Sequence, residues 1–330
     1  MNSVASLDFS RSEIPMKELF SSNLSYGINI IPEKGVINTI NTNNGRGFSL
    51  RQTKKNGWVD EHLYGGDDYI GDAINVVLLS AKVTGVLELK VKACNSDLCL
   101  EVYESSLERQ QWVKSAFLSW GTMLRKCMAN YLDVDVSEFA MNYCKSKNAK
   151  NNRIEPTVYF VEQLENGAGY TNYIGSSQSI VKECLIDSLE ISTSSYVKKL
   201  LDEGHSESCD TSCYDCIQDY YNKDIHLLLD WRLGLDVSQI ASQFQFVPSL
   251  KAIYWKPLIE RSFETMKEMG VILSVRDVGE TWKIKTDTET VFLVHPLWSN
   301  GKVARVAEEL DISINKARVL KNFHLEEYPK

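Results

Sequence analysis

Residues 205–237 read HSESCDTSCYDCIQDYYNKDIHLLLDWRLGLDV. Cys209, Cys213 and Cys216 are spaced C-x3-C-x2-C, and His205 stands four residues before the first of them. Thiolates and imidazole are the preferred ligands of zinc, and four of them close a tetrahedron. Free thiols are the alternative, but unliganded cysteines usually sit among apolar side chains, whereas Asp, Ser and Thr surround these. We therefore read His205, Cys209, Cys213 and Cys216 as one structural zinc site. His205 is taken as the fourth ligand because it lies on the same short loop. Cys184 is the reserve, since a helix can carry it back to that loop. With four protein ligands no position is open for water, so the metal holds the chain instead of reacting.

The same letters imitate the H-x-E…C-x-x-C signature of zinc deaminases, through His205, Glu207, Cys213 and Cys216. The spacing rejects that reading. Five residues separate Glu207 from Cys213, Ser212 occupies the position of the required proline, and Cys209 intrudes as an additional ligand. Other catalytic signatures fail too. There is no G-x4-G-K-[ST] phosphate cradle and no H-E-x-x-H. Asp60-Glu61-His62 follows KKNGWV and not a buried strand, so it is not read as a helicase box. Asp277, Lys285, Asp287 and Glu289 are of the types a metal nuclease uses, but their order makes no convincing motif.

The chain has 330 residues, 43% of them hydrophobic and 24% charged, with a formal net charge of −8. This suits a folded protein with a large core and argues against nonspecific nucleic-acid binding by the whole surface. Local basic patches are Arg51, Lys54 and Lys55, and the run from Lys145 to Arg153; solvated loops explain both equally well. No secretion signal and no apolar stretch long enough for a membrane span is found, which predicts a cytoplasmic protein. Eight cysteines in that setting argue for reduced thiols or metal ligation over a disulfide scaffold.

Outward from the cluster, SSLERQQWVKSAFLSWGTMLRKCMANYL keeps a helical period through Trp112, Ala116, Phe117, Trp120, Leu124, Met128 and Leu132. Asp135 or Ser137 caps a short turn after it. AINVVLLS, VLELKVKA and PTVYFVEQL read as strands. NGAGY turns the last of these into helical stretches over QSIVKECLIDSLE and TSSYVKKLLDEG. HLLLDWRLGLDV reads as one helix with Asn222 and Asp224 as caps. Its Leu227, Leu228, Trp231 and Leu235 share a core face, and His226 and Asp230 are i,i+4 surface neighbours. After Val247 come a helix from Leu250, strands VILSVRD, TWKIKTD and TVFLVHPLW, and a closing charged helix KVARVAEEL. The fold class predicted is mixed α+β in three parts. Residues 1–65 form a strand-rich lead-in, 66–247 an α/β core with the zinc loop between helices, and 248–330 a small appended α/β unit.

The string SCYDCIQDYYNKDIHLLLDWRLGLD resembles the MrfA-type zinc-binding (MZB) domain, formerly a domain of unknown function at the C-terminus of DEAD/DEAH-type helicases. ENGAGYTNYI is similar to that family's Gly-Gly-Ala-Gly-Tyr turn, with Asn166 in place of the first glycine. WGTMLRKCMANYLDVDVSEF is similar to a helix and acidic segment upstream of it. The resemblance covers about residues 70–245. It implies Cys209, Cys213 and Cys216 as ligands, and His205 as the fourth in the subgroup with histidine there. The family rides on an ATP-hydrolysing motor that moves on DNA, in repair and in bacterial antiphage defence; this sequence lacks the motor. The expectation is a non-catalytic accessory subunit, or the split C-terminal part, of a helicase-based DNA-processing system. Its partners would be a helicase-like ATPase and single-stranded DNA, with no membrane contact. The alternatives are a stand-alone metal-dependent nuclease and a scaffold without DNA contact. Gly167, Gly169 and Tyr170 open a helix N-terminus suited to phosphate, or serve close packing. Tyr214, Tyr220 and Tyr221 can stack on single-stranded bases, or pack around the zinc loop.

Overall fold

The patterned stretch after residue 100 forms a single helix of 26 residues, and the molecule is built around it. In the computed structural model, residues 28–41, 48–76, 78–91, 95–101, 107–147, 154–243, 245–321 and 324–328 are described. Along the chain come β1 (Ile28–Asn41), β2 (Phe48–Thr53), β3 (Gly57–Asp60), β4 (Tyr69–Val76) and β5 (Leu78–Val91). The long helix, α1 (Leu107–Leu132), precedes β6 (Phe139–Lys147) and β7 (Ile154–Glu162). Four short helices follow: α2 (Tyr170–Ile174), α3 (Gln178–Val181), α4 (Ser195–Leu201) and α5 (Glu203–Ser206). A 3-10 segment, Tyr220–Leu228, leads to α6 (Trp231–Ser242) and α7 (Lys256–Glu268). The last elements are β8 (Ser274–Val278), β9 (Thr281–Lys285), β10 (Thr290–Leu293), α8 (Asn300–Glu309), β11 (Ala317–Lys321) and β12 (His324–Glu327).

This is the mixed α+β class, with three sheets among the described residues: β1-β5-β7-β6, β3-β2-β4 and β12-β11-β10-β9-β8. β1 runs antiparallel to β5 in register from Ile28↔Val91 to Asn41↔Leu78, so the first described strand belongs to the central sheet. β11 joins β10 in parallel after the α8 crossover. The sequence reading ended at the charged helix and missed β11 and β12. ARVLK and HLEE are short and carry charges, so they give no strand pattern. The helix expected from Leu250 starts only at Lys256, where Pro257 fits the first turn, which needs no N–H from it.

α1 lies on the central sheet and α6 crosses α1. Both crossings are close because glycine is there: a β-carbon at Gly121 would lie 2.8 Å from Val158 Cγ1, and one at Gly234 2.7 Å from Met123 Sδ. Every residue from Ala116 to Arg125 is buried, so the middle of α1 is enclosed on all sides and not amphipathic. Its two hydroxyls are satisfied locally: Ser119 Oγ donates to Ser115 O at 2.8 Å and Thr122 Oγ1 to Leu118 O at 2.9 Å.

One apolar cluster runs from Ile30 through α1 and α6 to Leu297. A buried polar knot ties α6 to the C-terminal part of the chain. Asp236, fully buried, accepts from Tyr254 Oη at 2.8 Å, Trp255 Nε1 at 2.9 Å and His295 Nε2 at 3.0 Å. Leu297 N–H donates to His295 Nδ1, which places the ring hydrogen on Nε2, facing the carboxylate.

Candidate metal centre and its surroundings

The loop between α4 and α6 gathers all four expected ligands. The donor atoms of His205, Cys209, Cys213 and Cys216 lie within 4.8 Å of one another, and no other group of three or more His, Cys, Asp or Glu donors occurs among the described residues. His205 sits on α5, and Cys209 N–H donates back to His205 O at 2.8 Å, so one turn carries both. Cys213 and Cys216 form a tight knuckle in which Cys213 N–H points at Cys216 Sγ, 3.0 Å away. Cys216 Sγ is 3.9 Å from Cys209 Sγ and 3.6 Å from Cys213 Sγ. A tetrahedron with metal–sulfur bonds of about 2.3 Å has an edge of about 3.8 Å.

The imidazole supplies the decisive detail. His205 Nδ1 lies 2.9 Å from Leu200 O, so Nδ1 carries the hydrogen. Nε2 is then a bare lone pair, buried with no hydrogen-bond partner, among three sulfurs. A histidine held through its other nitrogen by a carbonyl is the usual arrangement of a metal ligand. Hydrogen bonding from Cys209, and from the Cys213 and Ile217 N–H groups, outweighs burial and lowers the Cys216 thiol to about 4. The donor set of three sulfurs and one imidazole suits a soft or borderline cation.

Two cations flank the sulfurs. Arg232, fully buried on α6, donates to four carbonyls: Tyr254 O, Cys209 O, Asp210 O and Ser206 O, at 2.8 to 3.0 Å. Lys126 of α1 donates to Cys216 O at 2.7 Å, where Tyr196 Oη also donates at 3.2 Å. Three thiolates around a divalent ion would leave a formal negative charge, which these cations would offset. Sequence reasoning missed Arg232, because a single charged residue beside an apolar run does not by itself mark a buried anchor.

Beyond the cysteines the expected continuous helix is broken. The 3-10 segment is capped by Asp219, which accepts from Tyr221 and Asn222 N–H and pairs with Arg125. Asp230 separately caps α6 through Arg232 N–H. The caps expected at Asn222 and Asp224 are therefore corrected, although Asn222 completes the box by accepting from Asp219 N–H. His226 Nε2 donates to Asn222 Oδ1 at 2.7 Å and to Asp219 O at 3.0 Å, not to Asp230. Leu227, assigned to the core face, is fully exposed, while Trp231 and Leu235 are buried. The helical period does not carry across a change of pitch followed by a restart at Asp230.

Tyr214, Tyr220 and Tyr221 are 68%, 71% and 60% exposed, so they do not pack beneath the loop. Tyr220 meets Tyr221 edge to face at 5.7 Å, Tyr214 meets His226 at 5.4 Å, and Lys223 Nζ stands 4.8 Å from the Tyr220 ring. Cys184 lies outside the four-donor group, buried in the π-turn after α3. Arg51 pairs with Glu61, and residues 148–153 of the second basic run lie outside the described residues. Glu289 is held by Lys316 and Arg318, and Asp277 by Lys251.

The glycine turn has its own anion. Glu162, 1% exposed at the end of β7, accepts from Ala168 N–H, from Gly169 N–H at 2.8 Å, and from Thr171 N–H and Oγ1 at 2.8 and 2.6 Å. Of the positions expected to receive a phosphate, Gly169 thus directs its N–H at a carboxylate already in place, and Gly167 N–H donates to Leu164 O at 3.1 Å. Burial opposes ionisation of Glu162, but the bonds from Thr171, Gly169 and Ala168 outweigh it and hold the group below the ordinary carboxylate range. Asn166, Gly167 and Gly169 have φ of 66°, 72° and 88°. Asparagine is the non-glycine residue that best tolerates this region, which accounts for Asn166 in a glycine position.

No family model matches the chain, and no curated protein matches it. Two solved structures are similar, both of the DUF1998 helicase MrfA: one bound to DNA (13% identity, TM-score 0.36, covering 68% of this chain and 25% of that one), the other bound to DNA and AMPPNP (13% identity, TM-score 0.27, covering 63% and 23%). The chain therefore spans about a quarter of the length of these helicases. No helix among the described residues is long and apolar enough to cross a membrane.

Proposed function

We propose that the four-donor cluster binds one structural zinc ion, and that the chain is a non-catalytic, cytoplasmic accessory part of a helicase-based DNA-processing system. The observation that carries the zinc is the orphaned, buried His205 Nε2 among three sulfurs. Four protein donors fill a tetrahedron, so the ion's chemistry is to fold the loop, not to activate water. The folded loop presents Tyr214, Tyr220, Tyr221 and Lys223 to solvent. Exposed aromatics beside a cation form a stacking platform for single-stranded bases, and this does not need a basic protein overall. The resemblance of SCYDCIQDYYNKD to a helicase-borne zinc domain supports the same reading, with a separate motor ATPase and DNA as partners in repair or antiphage defence.

Elemental analysis of protein purified without added metal should find one zinc per chain. The isolated chain should bind single-stranded DNA weakly, hydrolyse no ATP, and co-purify with a motor ATPase. Zinc near zero with all four side chains free to react would end the metal reading. Mg²⁺- or Mn²⁺-dependent nuclease activity of the purified chain would replace the accessory role with an enzymatic one.

A further inference from the structure

β2, β3 and β4 form a sheet of their own, whose strands pack chiefly on one another. It stands at the end of the β1–β5 hairpin. β7 pairs with β5 only over Val86–Lys90, while the hairpin runs on to Asn41↔Leu78. The two faces of the small sheet differ. On one, Arg51 pairs with Glu61 at 3.2 Å and stands 4.8 Å from the centre of the Tyr69 ring, and Ser49 Oγ donates to Glu61 at 2.9 Å. Residues directly opposite each other in a ladder share a face. Phe48 lies opposite Val76, Leu50 opposite Ile74, and Gln52 between Trp58 and Ile70, so all these apolar side chains share the other face. Trp58, Ile70 and Ile74 are 52%, 45% and 44% exposed. A small sheet with an apolar face needs that face covered, and this one stays open among the described residues.

Charge narrows what can cover it. Asp60 lies opposite Leu50 and so belongs to the apolar face, where it accepts only from His62 N–H at 2.9 Å. Asp72 is exposed in the irregular stretch of β4 between the two isoleucines. Neither forms an ion pair among the described residues. Lys54 and Lys55 sit in the β2–β3 turn, but Asp67 and Asp68 share that end of the sheet: Lys54 N–H donates to Asp68 O at 3.1 Å. That end is neutral, and the open face is acidic. We propose that this face docks a protein partner through an apolar surface bordered by lysine or arginine, a reading that takes from the accessory role only the existence of a partner. A flat sheet face suits a polypeptide, since small molecules need concavity. Nucleic acid and anionic lipid carry phosphates that Asp60 and Asp72 repel. A second copy would bring its own Asp60 and Asp72 against the same pair, and like charges set against each other are costly.

The test uses the full zinc-loaded chain and two short peptide amides, one of alternating Leu and Lys, the other of alternating Leu and Glu. Each is an amphipathic strand with one apolar side. Trp58 is the one exposed tryptophan of the chain's seven, so quenching by acrylamide reads this face alone. The Leu-Lys peptide should abolish that quenching saturably, and the Leu-Glu peptide should leave it. Ile70→Lys with Ile74→Lys should weaken Leu-Lys binding about tenfold or more. Asn75→Lys, opposite Ser49 on the other face, should bind as the wild type does. Asp60→Asn with Asp72→Asn should abolish the preference for the cationic peptide. Equal shielding by the two peptides in the wild type, or binding unchanged by the isoleucine substitutions, would overturn the site. A concentration-dependent dimer that shields Trp58 would give the face to a second copy. Shielding in a monomer would mean that the chain covers the face itself. Either result would overturn the partner, as would a motor that co-purifies equally with the isoleucine variant. Failure of any motor to co-purify would count against the accessory role and leave the peptide discrimination standing.

Discussion

Two loops in this molecule are organised around buried charge, and they solve the problem in opposite ways. In the glycine turn the charge is the protein's own: Glu162 gathers three N–H groups and a hydroxyl, and the turn closes without help. In the zinc loop the protein supplies Arg232 to gather four carbonyls, yet this leaves three sulfurs and the bare His205 Nε2 facing one another. A backbone rich in N–H donors can be closed by one carboxylate. A cluster of lone pairs is closed only by a cation, and the nearest cation is already committed elsewhere. On the proposed reading the first loop is self-sufficient and the second is conditional on an ion.

The contrast predicts a graded set of losses. The largest should follow removal of the ion. Chelation, or Cys213→Ser, should cost several kcal/mol and lower the melting temperature by on the order of 10 °C or more, since metal binding energy here is folding energy. A Cys213→Ser protein that keeps its zinc and its melting curve would make the two loops alike. Next comes Arg232→Met, which strands four carbonyls in the interior. It should cost about 3–5 kcal/mol in urea unfolding even with zinc saturating. Arg232→Lys should recover only part of this, because an ammonium cannot span all four acceptors.

Glu162→Gln should cost less, about 1–3 kcal/mol, and leave the zinc content unchanged. It also has a pH signature. The folded-state group ionises below its ordinary range, so its contribution is present above the unfolded value and is lost as pH falls through the folded value. The wild type should lose stability across the acidic range more steeply than Glu162→Gln, and identical acid limbs would deny the carboxylate its role. Smallest in stability should be Tyr220→Ala with Tyr221→Ala, within about 0.5 kcal/mol, because both rings face solvent. Their effect belongs to binding: about 1–3 kcal/mol of single-strand affinity for each stacked base, read by fluorescence anisotropy.

The two loops were unequally legible in the sequence. Three cysteines and a histidine in a polar run have few uses besides metal, so His205, Cys209, Cys213 and Cys216 could be named as one set. α1 was legible because an apolar period from Trp112 to Leu132, about six turns, has no other explanation. Glu162 and Arg232 were not, since one charged residue beside an apolar run looks the same whether it ends the element at the surface or anchors a loop inside. Only the donors and acceptors brought from up to 26 residues away distinguish the cases. Leu227 failed for another reason: projecting a 3.6-residue period assumes one helix, and the chain changes pitch between Tyr220 and Asp230. The tyrosines could be read either way, because exposure depends on what the rest of the chain covers.

The knot at Asp236 has a consequence for the order in which the molecule matures. Its three donors, Tyr254, Trp255 and His295, are all made after it. On a ribosome adding about 5–20 residues per second, α6 emerges seconds before His295 does. Until then Asp236 is a carboxylate without its imidazole, and the face of α6 that carries it has reason to stay in water. Arg232, on the same helix, waits likewise for Tyr254 O. The candidate metal loop hangs from that helix, so an ion could be captured early but the scaffold around it closes only once His295 has been made.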